Sequence, residues 1–303
     1  MFEVHYITGA PGAASYTDLG GRMNDGPPAE LVIWDKKNTE GDCSLLTPRT
    51  PFCDSCVSPQ VCVSDNVCRT PPSSHDVGQV TLVGLNAPSG ANPLELIMVA
   101  TATSTNYLCA ETLPMPPCAA GGAITLDATG KGDYPAFSIQ AKCIDPLVVT
   151  NPTIALESGK AFTLTWTPST AASARVQLML DLSHHGGSKG KVLCDTADSG
   201  SLTVSATLMT NLMALGVTGF PRAYVSRGLI GTTAVGSGQA QLKVYSDADF
   251  VAEIPGLISC ETDADCTAPE TCQVPGQMCG ISCASAADCP TGQACLSTTK
   301  ICG

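Results

Sequence analysis

Aromatic side chains are scarce in this chain, 5% of residues with two tryptophans, and charged ones make up only 14%. Basic residues are fewer still: 15 Lys and Arg stand against 27 Asp and Glu, for a net charge of −12. No run of four basic residues occurs, so nucleic acid is excluded as a partner, because phosphate binding needs a basic surface. Long apolar runs are missing too. The longest, Leu94 to Ala102, contains Glu95 and is too short to cross a bilayer, so no membrane span is expected. The start, Met1 to Tyr6, shows no basic region followed by an apolar core. That predicts a leader already removed or replaced by a starting methionine, and it is compatible with a lipid anchor once carried by such a leader. Hydrophobic residues are 44% of the total, which excludes a disordered acidic polymer.

What is abundant is cysteine, 17 in 303 residues, a density expected where thiols are oxidised. The tail repeats: Cys260, Cys266, Cys272 and Cys279 have the same spacing as Cys283, Cys289, Cys295 and Cys302. A looser copy, Cys56, Cys62 and Cys68 with Cys53 just in front, lies near the N-terminus. Identical intervals across eight cysteines mark two tandem disulfide units, and Pro or Gly in each copy supplies the tight turn.

Between these units the chain reads as β. Phe162, Leu164 and Trp166 alternate with threonines, and Val176, Leu178, Leu180 and Leu182 alternate with Arg175, Gln177, Met179 and Asp181. Further short runs fall at 80–85, 94–99, 124–128, 137–141, 202–204 and 240–244. Short strands parted by Gly, Pro, Asp and Ser turns predict an all-β chain of one or two antiparallel sandwiches. One short helix is expected, capped by Ser205, with Leu208, Leu212 and Leu215 on one face and Gly216 at its end. The expected divisions are 1–75 (N-terminal strands and the first cysteine unit), 76–150 (β domain), 151–257 (β-sandwich) and 258–303 (two four-cysteine repeats).

The segments Cys260-Glu-Thr-Asp-Ala-Asp-Cys266 and Asp288-Cys289-Pro-Thr-Gly-Gln-Ala-Cys295 resemble the short cysteine-rich repeats of Dickkopf-type modules and of many myxobacterial secreted proteins. Ala286 stands where the first copy has Asp263, so a role for that acid does not carry over to both. Leu164-Thr-Trp166-Thr-Pro168, Asp181-Leu-Ser-His184-His185-Gly-Gly-Ser-Lys-Gly190, Cys194-Asp195, Asp198-Ser-Gly200, Phe220-Pro221 and Ile254 to Cys260 resemble an uncharacterised family of myxobacterial surface proteins or lipoproteins. The resemblance covers roughly two thirds of the chain. It implies a β-rich envelope protein and no activity.

Candidate chemistry is thin. Gly186-Gly187-Ser188-Lys189-Gly190 matches the G-x-S-x-G nucleophile elbow, yet no helical pattern follows Ser188 and no histidine occurs beyond His185. A glycine-rich hairpin loop explains the match more simply. His184, His185 and Asp181 are the metal candidates, although neighbours on an extended strand face opposite ways. Cys53 and Cys56 suit a redox pair or half a zinc site, but the shared spacing with the tail favours disulfides. Asp195, Asp198, Asp247 and Asp249 show neither an EF-hand spacing nor an acid pair, and turn chemistry is expected to account for most of them. No catalytic residue, metal or cofactor is therefore assigned.

Three four-cysteine units leave Cys43, Cys109, Cys118, Cys143 and Cys194. Cys109 with Cys118, and Cys143 with Cys194, are the expected pairs, and Cys43 is then a free or inter-chain thiol, although spacing alone does not fix connectivity. The reading that follows is a non-enzymatic secreted or cell-surface structural or interaction protein (extracellular, on the outer cell surface or in the periplasm). Its partners are other protein subunits or a surface polymer, with a homo-oligomer or filament as one outcome. A carbohydrate- or polymer-binding module is the alternative, weakened by the scarcity of aromatics, and a hydrolase centred on His184 to Ser188 comes third.

Overall fold

The computed structural model describes residues 1–9, 13–101, 104–184, 187–274, 276–295 and 301–302. In chain order the strands are β1 (Phe2–Ile7), β2 (Tyr16–Gly21), β3 (Met23–Asn24), β4 (Ile33–Glu40), β5 (Cys43–Arg49), β6 (Val61–Ser64), β7 (Val67–Arg69), β8 (Ser74–His75), β9 (Val80–Val83), β10 (Leu94–Ala100), β11 (Thr105–Cys109), β12 (Ala123–Ala128) and β13 (Phe137–Lys142). There follow β14 (Phe162–Thr165), β15 (Arg175–Asp181), β16 (Lys191–Ala197), β17 (Ser201–Val204), the helix α1 (Ala206–Ala214), β18 (Arg222–Val235), β19 (Gly238–Val251), β20 (Thr271–Gln273) and β21 (Met278–Gly280). The chain is all-β with one short α-helix among the described residues, as its alternation predicts.

Thirteen strands form one sheet, in the order β13-β12-β9-β10-β11-β2-β1-β19-β18-β15-β16-β5-β4. Among the described strand pairs of this sheet, β1 with β19 alone runs parallel. Strands β18 and β19 are the spine. Each has 14 residues, roughly 46 Å at strand rise, and they pair from Arg222 with Val251 to Val235 with Gly238. That length lets one hairpin serve two cores. Val235, Ala240, Leu242 and Val244 join Phe2, Val4, Leu82, Leu126 and Ile139 in the first. Ala223 and Val225 join Leu45, Leu164, Trp166, Val176, Leu178 and Leu212 in the second, which the β14–β17 pair and α1 help to enclose. The first half of the sheet curls until β13 meets β18. A Cβ on Gly231 would collide with the Gln140 carbonyl, so only glycine admits that approach.

The helix forms where capping chemistry predicts. Ser205 Oγ accepts the Leu208 N–H at 3.1 Å, Leu208 and Leu212 are buried, and Gly216 at φ +112° follows the last turn. The expected divisions at 75 and 150 do not follow the strand pairing. Strands β1 and β2 lie in the first core's half of the sheet, while β4 and β5, from the same segment 1–75, extend the second. Ala171 and Ala174 likewise pack in the first core from beyond position 150. Partners this distant in sequence leave no local signature.

Along the inward row of β18, Val225 belongs to the second core and Leu229 packs on the first. Between them stands Arg227, fully buried and paired in register with buried Ser246 of β19. A polar layer thus separates two apolar cores on a continuous pair of strands.

Candidate functional site

The loop joining β15 to β16 holds the sequence's best catalytic and metal candidates. It is a hairpin connection, since Leu180 pairs with Val192, and no strand-to-helix elbow forms around Ser188. Asp181 is buried, and its Oδ1 accepts the Ser183 N–H at 3.1 Å. Its Oδ2 lies 4.0 Å from His184 Nδ1. Ser183 Oγ in turn accepts the Lys189 N–H at 2.8 Å, closing the loop on itself. His185 and Gly186 lie outside the described residues. Asp181 therefore acts as a turn former here, and the structure brings it and His184 together only at the limit of an ion pair.

Sequence reasoning passed over His5, which the structure places in a connected cluster. On the outer face of β1, β18 and β19, His5 Nε2 meets Asp247 Oδ1 at 2.8 Å, and the Tyr224 hydroxyl donates to Asp247 Oδ2. Burial pulls the Asp247 carboxyl upward, but the hydrogen bonds from His5 and Tyr224 outweigh it and hold the carboxyl below its ordinary range. Burial, reinforced by neighbouring acids, raises both Tyr224 and Tyr245 well above the usual phenol range. The Tyr245 ring stacks on His5 at 4.2 Å between centroids, and Lys243 Nζ sits 3.9 Å from the same ring. A groove of about 750 Å³ runs beside it, lined by Glu3, His5, Asp18, Asn106, Gln241 and Tyr245 among others. No Ser, Thr or Cys is among its described lining residues. Such a groove can bind polar groups, and the hydroxyls at it are the Tyr224 and Tyr245 phenols, both engaged by carboxylates. Register pairing of His5 with Tyr245 brings this cluster together across 240 residues, beyond the reach of any local motif.

The four singled-out aspartates are not turn residues in the main. Asp195 lies on β16, and Asp247 and Asp249 on β19, where they meet Arg175, His5 and Arg222 across the sheet. Asp198 is the buried partner of Arg227. Arg227 Nε lies 2.8 Å from Asp198 Oδ2, and the guanidinium also donates to the carbonyls of Asp145, Pro146 and Thr167. Trp166 Nε1 donates to Asp198 Oδ1 at 2.6 Å, and Ser246 Oγ accepts the Leu147 N–H at 3.0 Å. The segment joining the cores, around 145–147, is thereby fastened to the spine.

Each cysteine unit has its first sulfur bonded to its third and its second to its fourth. The bonds are Cys53–Cys62 with Cys56–Cys68, Cys260–Cys272 with Cys266–Cys279, and Cys283–Cys295 with Cys289–Cys302. Sulfurs of Cys53, Cys56 and Cys62 lie close enough to hold a metal ion, but the disulfides consume them. In the tail, Asp265 Oδ2 accepts the N–H groups of Glu261 and Thr262, and Asp288 does the same for Ala284 and Ser285. Asp263 accepts the Cys272 N–H at 2.8 Å, a bond that Ala286 cannot reproduce in the second unit.

Two expected pairings are corrected. Cys43 bonds Cys194, because β5 and β16 pair with these two residues directly opposite, and Cys118 bonds Cys143. The free thiol is Cys109, half-buried on β11, and burial raises its pKa. Neither a Cys109–Cys118 nor a Cys143–Cys194 bond forms, and Cys43 is not available to another chain. Sheet register, invisible in cysteine spacing, decides the Cys43–Cys194 bond.

No family model and no curated protein matches the chain. Among solved structures, the chicken CNTN1 FN1-FN3 domains share 7% identity over 80% of this chain and 73% of theirs, at a TM-score of 0.20. The fibronectin(III)-like modules of Clostridium thermocellum CbhA share 14% over 74% and 93%, at 0.17. At such scores neither likeness carries an argument, and the account rests on the chain's own geometry. Sixteen cysteines in eight disulfides mark a protein of an oxidising, extracytosolic compartment. No helix among the described residues is long and apolar enough to cross a membrane.

Proposed function

We propose that the protein is a non-enzymatic secreted or cell-surface structural protein, a stiff spacer that presents disulfide-stapled knobs and self-assembles in an envelope or extracellular structure. The observation that supports this is the junction. Two cores share two uninterrupted 14-residue strands, and the Arg227–Asp198 pair fastens the connecting segment at the boundary between them. A spacer needs that resistance to hinging, whereas domains joined by a linker move freely.

Assembly through the free edge strand β4 is disfavoured by Lys36, Lys37 and a bulge between Lys36 and Asn38. Inter-chain disulfides are disfavoured as well, since only Cys109 is unpaired and it is half-buried. The carbohydrate reading loses its aromatic platform, because His5 and Lys243 occupy the Tyr245 ring beside the polar groove. Sedimentation velocity from about 1 to 100 µM tests the proposal. Concentration-dependent larger species are expected, and a strict monomer throughout would remove self-assembly from the account.

A further inference from the structure

The tail and one cleft in the middle of the molecule carry opposite charge. Residues 258–303 include Glu261, Asp263, Asp265, Glu270 and Asp288 against a single basic residue, Lys300. A cleft of about 540 Å³, between β13 and the outer face of β15 and β18, gathers Lys142, Arg175 and Lys243. These are three of the 15 basic side chains in a chain of net charge −12. The one carboxylate lining the cleft, Asp195, is held by Arg175 at 2.6 Å, so the lining holds no acid for exposed Lys142, while Lys243 at its edge also reaches the Tyr245 ring. Gln140, Gln177 and Ser226 add hydrogen-bonding groups, and exposed Ile230 adds apolar surface.

We infer that this cleft receives the acidic cysteine-rich tail of a second copy of the chain, joining copies head to tail. The inference rests on the self-assembly proposed above and names its contact surfaces. Within one copy the first tail unit is tied to the segment leading into β18. Gly219 N–H donates to the Gly276 carbonyl at 2.6 Å, and Phe220 N–H to Ser259 Oγ at 2.8 Å. The link into the second unit is tied to the first through the Ser282 hydroxyl, which donates to Gln273 Oε1 at 3.2 Å. Gly228, at the cleft, lies six residues beyond Arg222, roughly 20 Å along the strand. Tail and cleft therefore sit at different places on the spine, and their meeting is between copies. A contact of two different patches that does not close into a ring propagates as a filament.

Two full-length double variants test it. Lys142→Glu with Lys243→Glu reverses the cleft, and Glu261→Lys with Glu270→Lys reverses tail acids that make none of the turn-forming bonds of Asp263 and Asp265. Each variant alone is expected to associate at least tenfold more weakly than the native chain by sedimentation velocity, with the tail variant's melting temperature unchanged. An equimolar mixture should recover association, because reversed cleft and reversed tail are complementary. About 1 M salt should weaken native assembly, since the Debye length falls to about 3 Å. Should the Lys243 change impair folding, Lys142→Glu alone, which alters an exposed side chain, keeps the test. Native assembly left intact by both reversals, or indifferent to salt, overturns the inference while leaving self-assembly standing. A native chain that never associates overturns both.

Discussion

Replacing Asp198 by alanine leaves the Arg227 guanidinium buried, with its three carbonyl acceptors but without its counter-charge. Side-chain exposures of 1% for Arg227 and 5% for Asp198 mean that water cannot substitute. The Trp166 indole N–H and the Ser169 N–H lose their acceptor in the same step. Breaking a buried pair by removing one partner costs about 3–5 kcal/mol, because the surviving charge stays desolvated. For a protein of this size each kcal/mol shifts the melting temperature by about 2–4 °C, so Asp198→Ala should melt about 6–20 °C lower. Arg175→Ala is the control, because its pair with Asp195 is about half exposed and is worth about 0–1 kcal/mol. Thermal melts followed by circular dichroism decide the matter. An Asp198→Ala chain melting within about 2 °C of the native one, or no lower than the Arg175 variant, would refute the assignment of Arg227 and Asp198 as the fastening between the cores.

Peptide mapping without reduction should find the Cys43–Cys194 and Cys118–Cys143 bonds and a single thiol at Cys109, which reacts with a thiol reagent faster once the chain is unfolded. Removing both Cys43 and Cys194 opens a loop of 151 residues, for which chain entropy gives an upper figure of about 5 kcal/mol, read as a lowered melting temperature. Ser205→Ala removes the helix cap and should cost about 1 kcal/mol in denaturant melts. Acid should destabilise the fold as Asp247 and Asp145 protonate. Both are held below the ordinary carboxylate value, so their contribution is present above about pH 4 and is lost as pH falls through their lower folded values. In alkali the sign reverses for Tyr6 and Tyr107, which burial pushes up to about 12. Their contribution is whole below about pH 10 and is lost between about 10 and 12, so phenolate absorbance should rise together with unfolding.

The β class, the helix and the three cysteine units were legible because their signals are local. Alternation at Val176 to Leu182 and the cap at Ser205 sit within a few residues, and the tail's spacing repeats in full view. Of the spine, only Ala240 to Val244 was legible. Strand β18 contains Gly228, Gly231 and a buried Arg227, all of which break an apolar alternation, and each has a reason only in tertiary contact. Glycine at 231 admits β13, and Arg227 bridges two cores. The Cys43–Cys194 bond between β5 and β16 was missed for the same cause. His5 drew no reading because its partners, Tyr245 and Asp247, lie about 240 residues away on a strand that pairs with it in parallel.

Negative-stain electron microscopy of the non-reduced full-length protein, at tens of micromolar and low salt, tests the central claim most directly. A stiff spacer that self-assembles predicts uniform rods joined through one repeating contact, with a constant angle between the two cores. Single particles at every concentration, or rods bent to varied angles at the Arg227 junction, would contradict it.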